Sequence, residues 1–220
     1  MQVEHVTVVV PAHDEEALLP ACVTALRAAA TRVPVPVRIV VVLDACSDDS
    51  AAAVPPGVDV LAVNARNVGA ARRAGFAAAP VRCNEWFATT DADSQVPDNW
   101  LAAQLAHATR GATVVAGTVT VTDWSDWPEH VMVRYAREYR PGVHHGHVHG
   151  ASLGFAADLY RGVGGFAEVP AHEDTELVSR MVAAGANMVW AIDAPVETSA
   201  RRHARAPEGF ASYLLELNDR

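Results

Sequence analysis

The stretch "WFATTDADSQVPDNW", residues 86–100, decides the fold, because an apolar run ends there on two carboxylates one residue apart. "EWFATT" (85–90) has the aromatic and β-branched content of a buried strand. Pro97 opens a helical pattern over 97–109, at a first position where proline is tolerated. In a parallel α/β sheet, ligands sit at the carboxyl ends of the strands, so Asp91 and Asp93 mark a candidate site. If the extended geometry persists, both side chains face one side, about 6–7 Å apart along the backbone.

Working outward, the same rhythm repeats. The strands "HVTVVVP" (5–11), "VRIVVVLD" (37–44) and "VDVLAV" (58–63) alternate with helical patterns over 15–30, 47–54 and 68–79, with Ser47 as an N-cap. A further strand follows at 112–121. Continuous Val/Ile runs between helices predict an α/β fold with a mostly parallel sheet covered on both faces. Residues 122–220 are less regular: helices over 129–139, 173–185 and 209–217, a strand over 187–192, and a Gly- and His-rich segment over 144–156. One domain over 1–220 is expected, with a regular first half (1–121) and a less regular, acceptor-like second half (122–220).

Composition narrows the partners. Half of the 220 residues are hydrophobic, yet the longest apolar runs, such as 37–43, fall far short of the roughly 20 residues that cross a bilayer. No basic segment followed by an apolar one opens the chain, so a cytoplasmic protein is expected. Three scattered cysteines form neither a disulfide framework nor a zinc pattern. A net charge of −9 argues against nucleic acid. All 17 basic residues are arginine, which reads as GC-rich, bacterial coding.

Three predicted strands end on acids: "PAHDEE" (11–16), "LDACSDD" (43–49) and "TTDADSQ" (89–95). Hard oxygen donors at the spacing of Asp91 and Asp93 suit Mg2+ or Mn2+, leaving positions for water or phosphate oxygens. Such a cation balances the repulsion between the acids and neutralises a diphosphate leaving group.

These pieces, with "NVGAARRAG" (67–75), "GASLGFAADLYRGVGGF" (150–166) and "HEDTEL" (172–177), occur in an order and spacing that resembles family 2 of the glycosyltransferases. The resemblance implies a GT-A fold, a nucleotide-sugar donor, a divalent metal and inversion at the anomeric carbon. By matching position, it implies that Pro11, His13 and Glu15 line the nucleoside pocket and that Asp44 binds base or ribose. It implies Arg72 near the diphosphate, Asp91 on ribose or the donor sugar, and Asp93 on the metal. Gln95 resembles a second metal ligand of polyprenyl-phosphate sugar synthases, and His203 a late histidine that closes the metal shell. The chain departs from the family at Asp14, where Asn is usual, and at Asp44-Ala45-Cys46-Ser47, where Asp-Asp-Gly-Ser is usual. Those departures leave the nucleobase open.

Transfer with inversion needs a base for the acceptor hydroxyl proton. Asp174 matches the family's base, with Glu173 beside it to offset the helix N-terminus, which by itself lowers basicity. The bland alternative is that both acids merely favour a first helical turn.

A rival site lies in "VHHGHVHGAS" (143–152). If that segment is extended, His145, His147 and His149 share a face and His144 opposes them. Imidazoles so arranged could bind zinc in a hydrolase, line the donor site, or simply sit in a loop. Trp124 and Trp127 are expected in the core or an interface, and Cys46 is a small turn residue. The expected activity is non-processive, hexosyltransferase-like transfer from a nucleotide-diphosphate sugar to a small-molecule, lipid or glycan acceptor, since no Gln-x-x-Arg-Trp motif is present. A nucleotidyltransferase and a non-catalytic nucleotide-sugar binding module are the alternatives, and a homodimer is left open.

Overall fold

The structure is a computed structural model that describes residues 1–140, 142, 145–202 and 209–220. One eight-stranded sheet runs through it. β1 (His5–Ala12), β2 (Val37–Asp44), β3 (Asp59–Val63) and β4 (Glu85–Thr89) are mutually parallel where they pair. The sheet continues through β5 (Ser94–Gln95), β6 (Val114–Thr120), β7 (Leu153–Ala156) and β8 (Met188–Thr198), in the order β3-β2-β1-β4-β7-β6-β8-β5. From β1 the chain first builds outward to β2 and β3, then returns to place β4 on β1's other side. The loops after β1 and β4 therefore flank the point where strand order reverses, the crevice in which such sheets bind ligands.

Apolar faces fix the layers. α1 (Leu19–Ala30) and α4 (Trp100–Thr109) cover one side through Leu19, Val23, Leu26, Trp100 and Leu101. α3 (Val68–Ala77) and α7 (Glu173–Ala183) cover the other through Phe76, Leu177 and Met181. A third cluster joins α5 (Glu129–Glu138) to the closing helix α8 (Phe210–Asp219) through Val131, Tyr135, Leu214 and Leu217. Trp127 is buried in that cluster and its indole N–H donates to the Ala200 carbonyl, while Trp124 packs on Tyr135.

Several boundaries differ from the expected ones. α1 begins at Leu19, with Pro20 in its first turn where a missing N–H costs nothing, so residues 15–18 are free to shape a loop. α4 begins at Trp100, because Pro97 instead accepts the Trp100 amide in a preceding turn. α2 is only Ser50–Ala53, with Asp49 at the N-cap position and not Ser47. Residues 153–156, within the Gly- and His-rich segment to which no strand is assigned from sequence, form the strand β7, antiparallel between β4 and β6, followed by the short helix α6 (Ala157–Gly162). Its glycine explains both the miss and the fit: a Cβ at Gly154 would overlap the Gln104 amide and the Trp86 indole, which bond to each other at 2.8 Å.

Candidate active site

β4 stops at Thr89, and the acids beyond it turn. The Ser94 amide donates to the Asp91 carbonyl at 3.1 Å, so the extended geometry expected through Asp93 does not persist. Each carboxylate finds its own arginine: Asp91 Oδ1 lies 2.6 Å from Arg72 Nη2, and Asp93 Oδ2 lies 3.0 Å from Arg201 Nη2. This is how the repulsion between them is relieved. The two arginines approach from different directions and differ in kind.

Arg72 comes from α3 and is buried. All three of its nitrogens are engaged: Nε donates to Thr89 Oγ1 at 3.2 Å, Nη2 to Asp91, and Nη1 to Glu173 Oε1. Burial opposes its charge, but Asp91, Glu173 and Asp174 outweigh it and hold its pKa above the ordinary value. A Cβ at Gly150 would overlap the guanidinium, so glycine is required where the 150–152 turn crosses it. Arg72 therefore underlies the site as a clip between α3, the end of β4 and the start of α7.

Arg201 follows β8. Ser94 Oγ donates to Thr198 Oγ1 at 2.9 Å and β5 pairs with the end of β8, which brings residues 199–202 beside the acidic turn. Arg201 Nη1 donates to Glu15 Oε1 at 2.6 Å while Nη2 holds Asp93, so one guanidinium bridges acids from two strand ends. Burial pushes the Asp93 carboxyl up to about 7; Arg201 opposes the rise, and Asp91 and Glu15 add to it. Burial, with the same three acids around it, also raises the thiol of Cys22, whose Sγ lies 3.3 Å from the Asp91 carbonyl. Gln95 is exposed on β5 opposite Glu197. His203 and His144 lie outside the described residues.

The expected nucleoside side is built from two loops. Asp44 is buried and accepts the amides of Ala65, Arg66 and Asn67 at 2.7, 2.9 and 2.9 Å, holding Arg66 at a positive φ of 49°. His13 Nδ1 lies 2.7 Å from the Asp44 carbonyl with its ring partly exposed, beside the buried Pro11 and Glu15. Asp14 sits at a φ of 53° and its carboxylate receives the amides of Ser47 and Asp48, pinning the first loop to the second. The Ser47 amide does most to lower its pKa; burial opposes this, and the Asp48 amide adds to the lowering. Asp14, Cys46 and Asp48 also bring ligand-type atoms within 4.8 Å of one another, but Asp48 too is engaged, by the Ser50 and Glu16 amides.

At the start of α7 the adjacent acids divide. Glu173 is buried against Arg72. Asp174 is only half-buried and accepts the Gly150 amide at Oδ2 and the Thr175 amide at Oδ1, both at 2.7 Å. Leading into Gly150, His145, His147 and His149 stack in one row, their centroids 5.7 and 5.9 Å apart, as an extended segment predicts. His149 Nε2 lies 3.3 Å from Tyr139 Oη, which accepts the Val119 amide. Among the described residues these imidazoles do not converge on one point as zinc ligands would. Sequence reasoning missed Tyr139, Thr89 and the pairing of Glu173 with Arg72; only the run of two glycine-bounded motifs around 150 and 165 hinted at close packing there.

The family model of "Glycosyl transferase family 2" matches residues 7–161. Curated proteins give no sequence match. Among solved structures, TarS 1–349 of S. aureus in complex with UDP-GlcNAc is similar at a TM-score of 0.68 and 15% identity, over 96% of this chain and 64% of that one. A second structure of TarS 1–349 is similar at 0.63 and 15% identity, over 89% of this chain and 60% of that one. The mannosyltransferase PcManGT of Pyrobaculum calidifontis, in complex with GDP-Man and Mn2+, is similar at 0.67 and 18% identity, over 96% and 68%. The chain thus spans about 60% of the length of TarS 1–349. Likeness at this identity shows the shared GT-A fold.

Proposed function

Because the chain belongs to glycosyl transferase family 2, we propose that it moves a sugar from a nucleotide-diphosphate sugar to a hydroxyl acceptor. One sugar is transferred per encounter, with inversion and with a divalent metal. Residues 1–121 supply the donor half of one domain and 122–220 the acceptor half. Among the described residues no helix is long and apolar enough to cross a membrane, in keeping with a cytoplasmic setting.

The observation that carries this reading is the Arg72 clip, which ties Asp91 on the donor side to Glu173 beside Asp174. It fixes the distance between the strand end that meets the diphosphate and the helix start that meets the acceptor. Holding reacting partners in register is a large part of catalysis. In this reading Asp174 takes the acceptor proton as that oxygen bonds to the anomeric carbon and the diphosphate leaves with the electrons of the broken bond. The amides of Gly150 and Thr175 aim its carboxylate. Glu173, neutralised by Arg72, keeps the base's surroundings from accumulating negative charge.

The hard carboxylate of Asp93, with Asp91 and Glu15 close enough to act on its ionisation, has the chemistry that suits Mg2+ or Mn2+. When bound, the metal would neutralise the leaving diphosphate. His13 and the loop held by Asp44 flank the nucleoside.

Calorimetry with nucleoside diphosphates tests the reading. Affinity should rise in Mn2+ or Mg2+ and fall sharply in Asp93→Ala, while Asp174→Ala leaves it nearly unchanged. Equal affinity in chelator and in metal would overturn the metal role, and equal losses in the two variants would overturn the division between donor and base.

A further inference from the structure

Two guanidiniums serve four acids here, and only one of them can leave. Arg72 is enclosed, its side chain 3% exposed, and tied to three partners. Arg201 is 25% exposed and stands on a connecting segment, not on a helix or strand. Its backbone is nonetheless placed: Trp127 donates to the Ala200 carbonyl, Arg201's own amide to Ser199 Oγ at 3.2 Å, and the Arg202 guanidinium covers the Trp127 ring at 4.9 Å. The main chain is anchored while the long side chain is free to change partners.

A guanidinium that bonds Glu15 at 2.6 Å and Asp93 at 3.0 Å lies between the same oxygens that a divalent cation would use. A cation on Asp93 would stand beside the guanidinium, and the two positive charges repel in a site that water screens only in part. Building on the metal role proposed above, we propose that Arg201 is an internal counter-cation that competes with the metal for Asp93 and gives it up only when a diphosphate arrives. A diphosphate offers the guanidinium an alternative pair of oxygens for parallel hydrogen bonds. Metal entry alone must displace Arg201 into water; metal entry with the donor exchanges one set of ion pairs for another. Arg201 is thus a positioning residue that makes metal binding conditional on the donor. The empty site stays neutralised and does not collect stray cations.

Mn2+ binding counted by electron paramagnetic resonance, where free aquated Mn2+ gives the signal, tests this without any turnover. A guanidinium at such a distance lowers the proton affinity of a carboxylate by about tenfold or more, and it should weaken the hold on a divalent cation by at least as much. In the absence of nucleotide, Arg201→Gln should bind Mn2+ about tenfold more tightly than the parent. Adding a nucleoside diphosphate should tighten Mn2+ strongly in the parent and far less in the variant. Should Arg201→Gln fold poorly, Arg201→Lys serves: one ammonium holds two carboxylates less well, so its free-state Mn2+ affinity should fall between the two. Unchanged or weaker Mn2+ binding in both variants, with binding still abolished by Asp93→Asn, overturns the competition alone. Mn2+ binding indifferent to Asp93→Asn overturns the metal role as well, and the competition with it.

Discussion

Two arginine–acid clusters lie side by side at the end of β4, and their difference is one of burial. Around Arg72 the guanidinium is enclosed, and its nitrogens meet three different oxygens, those of Thr89, Glu173 and the partly exposed Asp91. Around Arg201 the guanidinium is partly open to solvent and its partners come from loops. Coulomb attraction acts in both, but only in the first is the arginine itself so desolvated that losing a partner strands its charge. The enclosed cluster is architecture and the open one is exchangeable. A site that must admit and release a charged donor needs both, one to keep its geometry and one to yield.

The widest separation between them is expected at the adjacent acids of α7. Asp174 faces the open side, whereas Glu173 belongs to the enclosed cluster. Asp174→Asn retains an oxygen for the Gly150 or Thr175 amide but removes basicity, so transfer should fall about a hundred- to ten-thousand-fold. Folding and donor affinity should stay near those of the parent. Glu173→Gln should disturb thermal stability more than chemistry. The measurement is single-turnover transfer, or slow donor hydrolysis before an acceptor is known. If Glu173→Gln abolishes transfer and Asp174→Asn does not, the base is Glu173 and the enclosed cluster is catalytic.

Next in size is the enclosed cluster itself. Arg72→Met leaves Asp91 and the buried Glu173 without a counter-charge, and breaking such a pair costs about 3–5 kcal/mol. Denaturant unfolding should show it. Adding Glu173→Gln to Arg72→Met should restore part of the loss, because the stranded charge is then gone. Arg201→Gln, at the open cluster, should cost less. Glu15 and Asp93 are themselves largely buried, but the guanidinium leaves a place that water reaches, and Asp93, already pushed up to about 7 by burial, can take up a proton. Similar losses for the two single variants would erase the distinction.

The sequence made the sheet's first half legible because β1, β2 and β4 are buried on both faces and so read as unbroken Val/Ile and aromatic runs. β7 was illegible: four residues beginning at Leu153, one of them a glycine demanded by Trp86 and Gln104, carry neither length nor alternation. At the site, acids at strand ends could be found because strand ends are themselves predictable. Which arginine meets which acid could not, since Arg72 meets Glu173 across 101 positions and Arg201 meets Glu15 across 186. The reading of Asp91 and Asp93 as one same-facing pair failed for a local reason: the turn closed by the Ser94 amide follows Asp91 at once.

The histidine row supplies the contrasting case of burial without a full counter-charge, and at neutral pH its effect should be the smallest. Burial pushes His149 down to about 4; Asp174 opposes this, and His147 and His145 reinforce it. Tyr139 is no remedy, because its hydroxyl also accepts the Val119 amide and carries no charge. Above the ordinary histidine value of about 6.5 the residue is neutral both folded and unfolded, so it adds no pH dependence there. Below that value the unfolded chain takes up a proton that the folded chain refuses. Stability is therefore lost as pH falls from about 6.5 toward 4, by about 2 kcal/mol at pH 5. His149→Gln, which can still meet Tyr139 but does not titrate, should flatten that limb: the variant gains on the parent between pH 6.5 and 5 and not between 6.5 and 8. Urea midpoints at each pH measure the difference. Parallel curves would mean that the imidazole is hydrated and protonates freely, and that this wall of the site belongs with the open cluster.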